Sequence, residues 1–277
     1  MPEGPEVKIS ADLIRPLLVE HIVYDALPIP AGRYGGGNLP EGYKEFYDSI
    51  AGRDVTITDV QVKGKFMYWS FSNGWYLFNT FGMTGQWSPT QGKHPCFLLV
   101  LNATEPHENM YFNDHRHFGT VKFINNKREL DKKLEELGWD PLDGALDKHL
   151  KWLTFQLSKT SKSIAEVLMD QSLFSGVGNY IRAEALYACK LSPWREANKL
   201  SQDEIKTLCQ AIVDVMQESY QHQGATISTY KTAYGAEGKY ATLFKVYGQK
   251  QDAAGHKIIK QQTPDKRTIH WCPEVQI

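Results

Sequence analysis

LMDQSLFSGVGNYIRAEAL (residues 168–186) holds a glycine-rich break, Ser175 to Gly178, followed at once by a run of helical period and propensity. The stretch therefore reads as a tight turn that opens a helix. Its plainest meaning is a close turn between two helices. A second meaning is chemical: the first N–H groups of a helix have no partner within it and receive anions, and Asn179 adds a side-chain donor there. A Gly-x-Gly alone does not choose between the two.

Outward from this turn the sequence stays helical on both sides. ELDKKLEEL, LDKHLKWLTFQL, SIAEVLMDQ, NYIRAEALYACK and DEIKTLCQAIVDVMQESY all predict helices, the first of them with a solvated, charged face. Upstream, over residues 54–125, the period changes. DVTITDVQV, KFMYWSFS, WYLFNTF, CFLLVLN and TVKFIN are rich in β-branched and aromatic residues and are separated by turn signals such as SNG and NATEPHEN. Short strands at close spacing predict a sandwich or flattened barrel. AGRYGGGNLPEGYKEF (31–46) reads as a glycine-rich loop without phosphate-loop spacing. KYATLFKVYGQK, HKIIKQQ and RTIHWC return to alternation and predict a β-hairpin appended to the helices. The expected fold class is α+β, with domains 1–128 (N-terminal helix and β-sandwich), 129–238 (helical) and 239–277 (hairpin).

The chain opens MPEGPEVKIS. Proline fits the first turn of a helix, acids there complement the helix dipole, and VKISADLIRPLLVE continues with near-helical spacing of apolar residues. The same residues admit a chemical reading. With Met1 removed, Pro2 presents a secondary α-amine, whose reference pKa of about 7.7–8.0 against about 10.4 for lysine leaves more of it nucleophilic near neutral pH. Glu3 and Glu6 then stand where protons must move around an adduct.

The 277 residues, 42% hydrophobic and 23% charged, describe an ordinary globular protein large enough for two domains. No run approaches the roughly 18 apolar residues of a membrane span, and no basic-then-apolar leader is present, so cytoplasm or nucleus is the expected location. Cys96, Cys189, Cys209 and Cys272 lie far apart with no Cys-x-x-Cys, which argues against a disulfide framework or zinc ribbon. The net charge of −1 carries no global sign of a nucleic-acid partner. Phosphate binding needs only a local patch, and Lys245, Lys250, Lys257, Lys260 and Lys266 make the C-terminal end basic.

Five ordered motifs carry a resemblance: MPEGPEV at the start, KGKFMYW around Lys65, GMTG with DHRHFGT among the strands, LMDQSLFSGVGNYIRAEAL among the helices, and KVYG followed by KRTIHWCPEVQ at the end. Together they resemble the formamidopyrimidine-DNA glycosylase and endonuclease VIII family of base-excision repair, over essentially the whole chain. MPEGPEV looks more like the endonuclease VIII branch. The resemblance implies an N-terminal helix and β-sandwich, a helix-two-turns-helix domain and a C-terminal finger hairpin, acting as a monomer without a cofactor on double-stranded DNA that carries oxidised bases or abasic sites. It implies a glycosylase and abasic-site lyase in which Pro2 is the nucleophile, Glu3 the acid/base partner, and Glu6 an orienting group for the terminal turn.

Further residues take roles by the same resemblance. Lys65 is assigned to a phosphate beside the lesion, with Lys63 as a second contact. Gly176 to Asn179, Gly178 included, becomes a phosphate clamp, and Glu184 braces the domain. Extruding a base leaves a void, and Met83, Arg116 and Phe118 match the positions that fill it. His117 stands where many relatives carry a second arginine. His94 is either a phosphate contact or a structural residue. Relatives commonly hold zinc in the finger through four cysteines; here Ala254, Lys257 and Val275 stand approximately at three of those places and only Cys272 remains. A finger without metal is therefore expected, held by strand pairing and by aromatic residues such as Trp271. Arg267 keeps the finger arginine, assigned to the DNA backbone. Tyr230 to Gly238 (YKTAYGAEG) is expected to cap the lesion pocket. Oxidised pyrimidines are the expected substrates; oxidised purines, or damaged-DNA binding without turnover, are the alternatives.

Overall fold

The computed structural model describes residues 2–102, 108–227 and 230–277, so part of the NATEPHEN turn lies outside the described residues. The chain forms two compact units, Met1–Pro2 with Glu6–Glu135 and Ala225–Gly238, and Glu3–Pro5 with Glu136–Gly224 and Lys239–Ile277. The architecture is α+β, as the sequence predicts.

In the first unit, helix α1 (Gly4–Ile14), whose first turn counts with the second unit, buries Val7, Ala11 and Ile14 along one face. It tightens into a 3₁₀ turn at Arg15–Leu17, where Pro16 removes a backbone donor. Then follow β1 (Val23–Pro28), α2 (Tyr43–Ile50), β2 (Ile57–Lys63), β3 (Phe66–Phe71), β4 (Tyr76–Thr80), β5 (Gln86–Ser88), β6 (Pro95–Leu101), β7 (Glu108–Asn113), β8 (Thr120–Ile124) and α3 (Lys127–Glu135). The strands make two antiparallel sheets, ordered β1-β6-β7-β5 and β2-β3-β4-β8. Alternation in β3 turns Met67, Trp69 and Phe71 inward. Across the sandwich Trp69 meets Trp87 with ring centroids 4.7 Å apart, and Phe97 meets Phe123 at 5.7 Å. Truncating a fully buried tryptophan of this kind costs about 3–5 kcal/mol, so these pairs set the spacing of the sheets. The loop expected over 31–46 ends instead in α2, because Tyr43, Phe46 and Ile50 fall on one helical face and Phe46 stacks on Phe123 at 4.2 Å.

The second unit holds α4 (Leu146–Leu157), α5 (Ile164–Val167), α6 (Asn179–Ala188), α7 (Gln202–Gln221), β9 (Ile259–Gln262) and β10 (Thr268–Trp271). Reciprocal capping boxes start α5 (Ser163 with Glu166) and α7 (Ser201 with Glu204). Every residue of α6 from Tyr180 to Leu186 is buried, which makes it the axis of the unit. The hairpin pairs Thr268 with Gln262 through Trp271 with Ile259. KYATLFKVYGQK, expected as a strand, forms a 3₁₀ turn at Tyr240–Leu243. Beyond it the N–H groups of Lys245, Val246 and Tyr247 all donate to the Glu184 carboxylate, at 2.9, 3.0 and 2.7 Å. Three consecutive donors held by one side chain are not available to a ladder. Glu184 thus braces the unit, and its burial raises its pKa against the lowering effect of those bonds. No helix among the described residues is long and apolar enough to cross a membrane.

Candidate catalytic and DNA-binding site

The first unit carries a pocket walled by Pro2, Ser10, Met83, Gln86, Tyr230 and Lys231 among others. Helix α1 supplies Ser10 and also the buried Glu6, whose carboxylate accepts from the Ala225 N–H at 2.8 Å. Glu6, expected to orient the terminal turn, therefore anchors the start of the segment that reaches Gly238. That segment is tied down further. The Thr226 hydroxyl donates to the Tyr230 carbonyl at 2.9 Å and accepts from the Gly238 N–H at 2.8 Å, and the Gln86 amide donates to the Thr232 carbonyl. Two hydroxyls of the pocket, Ser10 Oγ and Tyr230 Oη, are buried with no hydrogen-bond partner among the described residues. Burial, with Glu6 adding to it, raises the Tyr230 pKa and keeps the phenol neutral.

The void-filling candidates stand on two adjoining turns. Met83 follows Gly82, whose φ of +58° suits glycine, and Gly85 N–H closes the turn on the Phe81 carbonyl at 2.8 Å. In DHRHFG the organiser is Asp114, which is 1% exposed. Its carboxylate accepts from Gly119 N–H at 2.6 Å, from Arg116 N–H at 3.2 Å and from the Thr84 hydroxyl, and so joins the two turns. Arg33 adds a guanidinium on the carbonyls of His117 and Gly119, at 2.8 and 3.0 Å. With the backbone fixed, Met83 (36%) and Phe118 (54%) are exposed large apolar groups, and the Arg116 guanidinium lies 4.8 Å from the Phe118 ring centre. His117 turns its Nδ1 to the Cys96 thiol at 3.5 Å instead of outward.

Lys65 sits in the turn between β2 and β3, half-buried. The Lys63 ammonium, expected at a phosphate, bonds the Leu134 carbonyl at 2.7 Å, where the end of α3 offers an unpaired acceptor. His94 is exposed, its ring 4.7 Å from that of His115.

In the second unit the start of α6 already holds an anion. The Glu3 carboxylate, 3% exposed, accepts from the N–H groups of Tyr180 and Ile181 at 3.0 and 3.4 Å. The positive end of that helix, expected to meet a DNA phosphate, is occupied by the side chain next to Pro2. A Cβ on Gly178 would collide with the same carboxylate. Asn179 remains at the helix start with its amide donating to the Thr268 carbonyl at 2.9 Å, and Arg267 stands half-exposed at the hairpin turn.

Two family models match the chain: the formamidopyrimidine-DNA glycosylase N-terminal domain over residues 1–121 and the H2TH domain of the same enzymes over 137–231. The formamidopyrimidine-DNA glycosylase of Exiguobacterium sp. is 30% identical over 285 residues, covering 100% of this chain and 99% of the relative. The chain belongs to the formamidopyrimidine-DNA glycosylase family. The enzyme of Lactiplantibacillus plantarum is 31% identical over 226 residues, or 79% of this chain and 81% of its own. Among solved structures, the MutM (Fpg) protein of Thermus thermophilus superposes with a TM-score of 0.83 at 28% identity, covering 99% of this chain and 98% of that one. A Lactococcus lactis Fpg in complex with abasic-site-containing DNA shares the fold, with a TM-score of 0.84 at 24% identity and 99% of both chains covered.

A four-cysteine zinc finger of the kind the resemblance implies does not fit the residues of this member. The cluster that does form, Asp252, His256 and Cys272, brings one ligand atom each within 4.8 Å of the others. Yet Asp252 already accepts four hydrogen bonds, from the N–H groups of Ala254 and His256, the Tyr187 hydroxyl and His256 Nδ1, each at 2.9 Å. A carboxylate so saturated, facing an imidazole N–H, is a hydrogen-bonded pair in place of a ligand set. Trp271 packs edge-on against Trp194 at 6.2 Å, as aromatic support of the hairpin.

The sequence reading missed Ser10, Thr84, Asp114 and Arg182, the last a fully buried arginine on α6. Asp114 had a signal, since an acid before an exposed turn gathers N–H groups. Arg182 had none, because three of its four partners, Ala165, Thr263 and Asp265, are far along the chain.

Proposed function

We propose that this chain is a bifunctional DNA glycosylase and abasic-site lyase that removes oxidised bases, oxidised pyrimidines before purines, with Pro2 as its nucleophile. The observation that carries the reading is the pocket beside Pro2, whose buried Ser10 and Tyr230 hydroxyls have no protein partner among the described residues. Each such group costs about 1–3 kcal/mol, and a polar ligand relieves that cost. An extruded base, with carbonyl and N–H groups on its edge, is such a ligand once the pocket, which as it stands has room for little more than a water molecule, widens to admit it. The secondary amine forms a bond to C1′ as the glycosidic bond breaks and the base leaves with a proton. Glu3 protonates the ring oxygen as the sugar opens. The resulting iminium acidifies C2′, a proton departs, and the 3′ phosphate leaves as the C3′–O bond breaks. A second elimination releases the 5′ phosphate, and no oxidant is required.

Around this step Met83, Arg116 and Phe118 occupy the void, and Lys65, Asn179 and Arg267 take phosphates. His94, exposed beside His115, is a further phosphate contact. The finger works without zinc, and the protein acts as a monomer on duplex DNA. The pyrimidine preference rests on the opening MPEGPEV. A second reading, oxidised and ring-opened purines, is favoured by the formamidopyrimidine-DNA glycosylase name of the relatives.

Borohydride is expected to trap a covalent complex on abasic DNA, and retention of Met1 to abolish it; trapping that survives in the Met1-retained protein removes Pro2 from its role. Single-turnover excision is expected to be faster for thymine glycol than for 8-oxoguanine opposite cytosine in the same duplex. The reverse order selects the purine reading and leaves the Pro2 chemistry intact.

A further inference from the structure

Arg182 is the third residue after Asn179 on α6, and its guanidinium is 0% exposed. Its donors reach four acceptors: Nε meets Asn179 Oδ1 at 3.0 Å, Nη1 meets the Ala165 carbonyl at 3.0 Å and Asp265 Oδ2 at 3.1 Å, and Nη2 meets Thr263 Oγ1 at 3.2 Å. Arginine has donors only, so the side of the Asn179 amide that faces it must be the carbonyl. The Thr268 carbonyl is an acceptor only, so the side facing it must be the NH₂ group, and the two contacts fix the amide in one orientation. One of the two NH₂ hydrogens goes to Thr268, and the other is left to donate elsewhere. In the flipped orientation the amide carbonyl would stand in its place and repel a phosphate.

The same guanidinium organises the hairpin turn. Asp265 accepts from the Arg267 N–H at 3.3 Å and lies 4.0 Å from Arg267 Nε. Thr263 places its hydroxyl against Asp265 and against the Arg267 carbonyl, the latter at 2.8 Å, while its N–H donates to that carbonyl at 2.9 Å. Arg182 shares Asp265 with Arg267, and its closer contact, 3.1 Å against 4.0 Å, weakens the pull of that carboxylate on the Arg267 guanidinium.

We propose that Arg182 is a positioning residue that orients the Asn179 amide and the Arg267 turn together, so that both present donors to DNA phosphates as one unit. The inference rests on the reading of Asn179 and Arg267 as phosphate contacts, and the test separates the two. Arg182→Met is the informative variant: an apolar group of similar length keeps the packing, and although removing one partner of a buried pair is destabilising, Asp265, whose side chain is 22% exposed, can rehydrate. Binding to a duplex with an abasic-site analogue is measured across salt concentration for Arg182→Met, Asn179→Ala, Arg267→Ala and their pairs. A slope of about 0.9 per phosphate neutralised by a cation predicts that Arg182→Met flattens the salt dependence by about 0.9, through Arg267, and weakens binding at least tenfold, the neutral Asn179 amide adding affinity without slope. Adding Asn179→Ala or Arg267→Ala to it should then cost less than about twofold, because their contacts are already lost. A purely structural arginine would leave the slope unchanged and the effects multiplicative, and that result overturns the proposal. If Asn179→Ala and Arg267→Ala alone leave slope and affinity untouched, the phosphate-contact reading fails and this inference with it; if they weaken binding yet multiply with Arg182→Met, only this inference fails. Should Arg182→Met not fold, Asp265→Asn serves instead: Arg267→Ala is expected to lose most of its effect in that background, and an undiminished effect overturns the coupling.

Discussion

Two turns to which we assign DNA contacts are organised around buried charges of opposite sign. The turn from Asp114 to Gly119 gathers around a carboxylate, which accepts from the backbone N–H groups of Arg116 and Gly119. The hairpin turn from Thr263 to Arg267 gathers around the Arg182 guanidinium, which needs oxygens and takes most of them from the side chains of Asn179, Thr263 and Asp265. Main-chain N–H is supplied by every residue except proline, so an anion at the centre leaves the outward side chains free to differ. A cation at the centre ties specific side chains to one another. The first turn should tolerate change at its tip and the second should not.

The largest effect is expected where the anion is removed. Asp114→Ala leaves buried donors without an acceptor and should lower the unfolding free energy by about 3 kcal/mol, read from the urea midpoint, with excision lost as the turn loosens. An unchanged midpoint would break the contrast at its root. A third kind of buried group, one with no partner among the described residues, sharpens it. Tyr230→Phe should leave stability equal or slightly raised, since an unpaired hydroxyl is deleted, yet slow single-turnover excision about tenfold, or about 1.4 kcal/mol. Borohydride trapping on an abasic site, where no base enters the pocket, should be unaffected; equal losses in both assays would remove Tyr230 from base recognition.

The smallest effect concerns a half-buried imidazole and the buried carboxylate it meets. Asp252 is held down to about 2 from its ordinary 3.8, first by the hydrogen bond from His256 and then by backbone N–H groups and the Tyr187 hydroxyl. His256 is raised above 6.5 by the same contact, with Glu274 adding to it. The depressed carboxylate contributes stability that is present above 3.8 and lost as pH falls through about 2. The raised imidazole contributes stability that is full below 6.5 and lost as pH rises through its folded value. The pair is therefore strongest from about pH 4 to 6.5, and the melting-temperature difference between the native chain and His256→Gln should be greatest there and shrink as pH rises through the raised pKa of the imidazole. Chelator or added zinc should leave the native melting temperature where it was. A rise of several degrees with zinc would turn Asp252, His256 and Cys272 into ligands.

Legibility followed the range of the interaction. Residues 168–186 were readable because helical period and turn glycines are local, and β3 because Met67, Trp69 and Phe71 alternate within it. Helix α2 was hidden by the glycine-rich run before it, although Tyr43, Phe46 and Ile50 carry a helical spacing. The strand expected over 239–250 failed because a carboxylate on another helix takes its donors. At the site, motifs single out Pro2, Met83, Arg116 and Phe118, of which Met83 shares a pocket with Pro2. Arg182 was not, since its partner Asp265 lies 83 residues away and an arginine on a helix ordinarily reads as solvated.

Gly178 has φ −132° and ψ −159°, extended backbone open to any residue, so its conformation does not demand glycine. The demand is spatial and comes from Glu3, whose carboxylate fills the place a Cβ would take. Across a lineage this position would look frozen, and its place in a glycine-rich motif would invite the conclusion that DNA froze it. The tenant is instead an acid 175 residues earlier in the chain. A codon change at Gly178 would evict Glu3 before any duplex arrived, whereas a chain that had already lost Glu3 would be free to drift there. The two positions should be inherited as a pair.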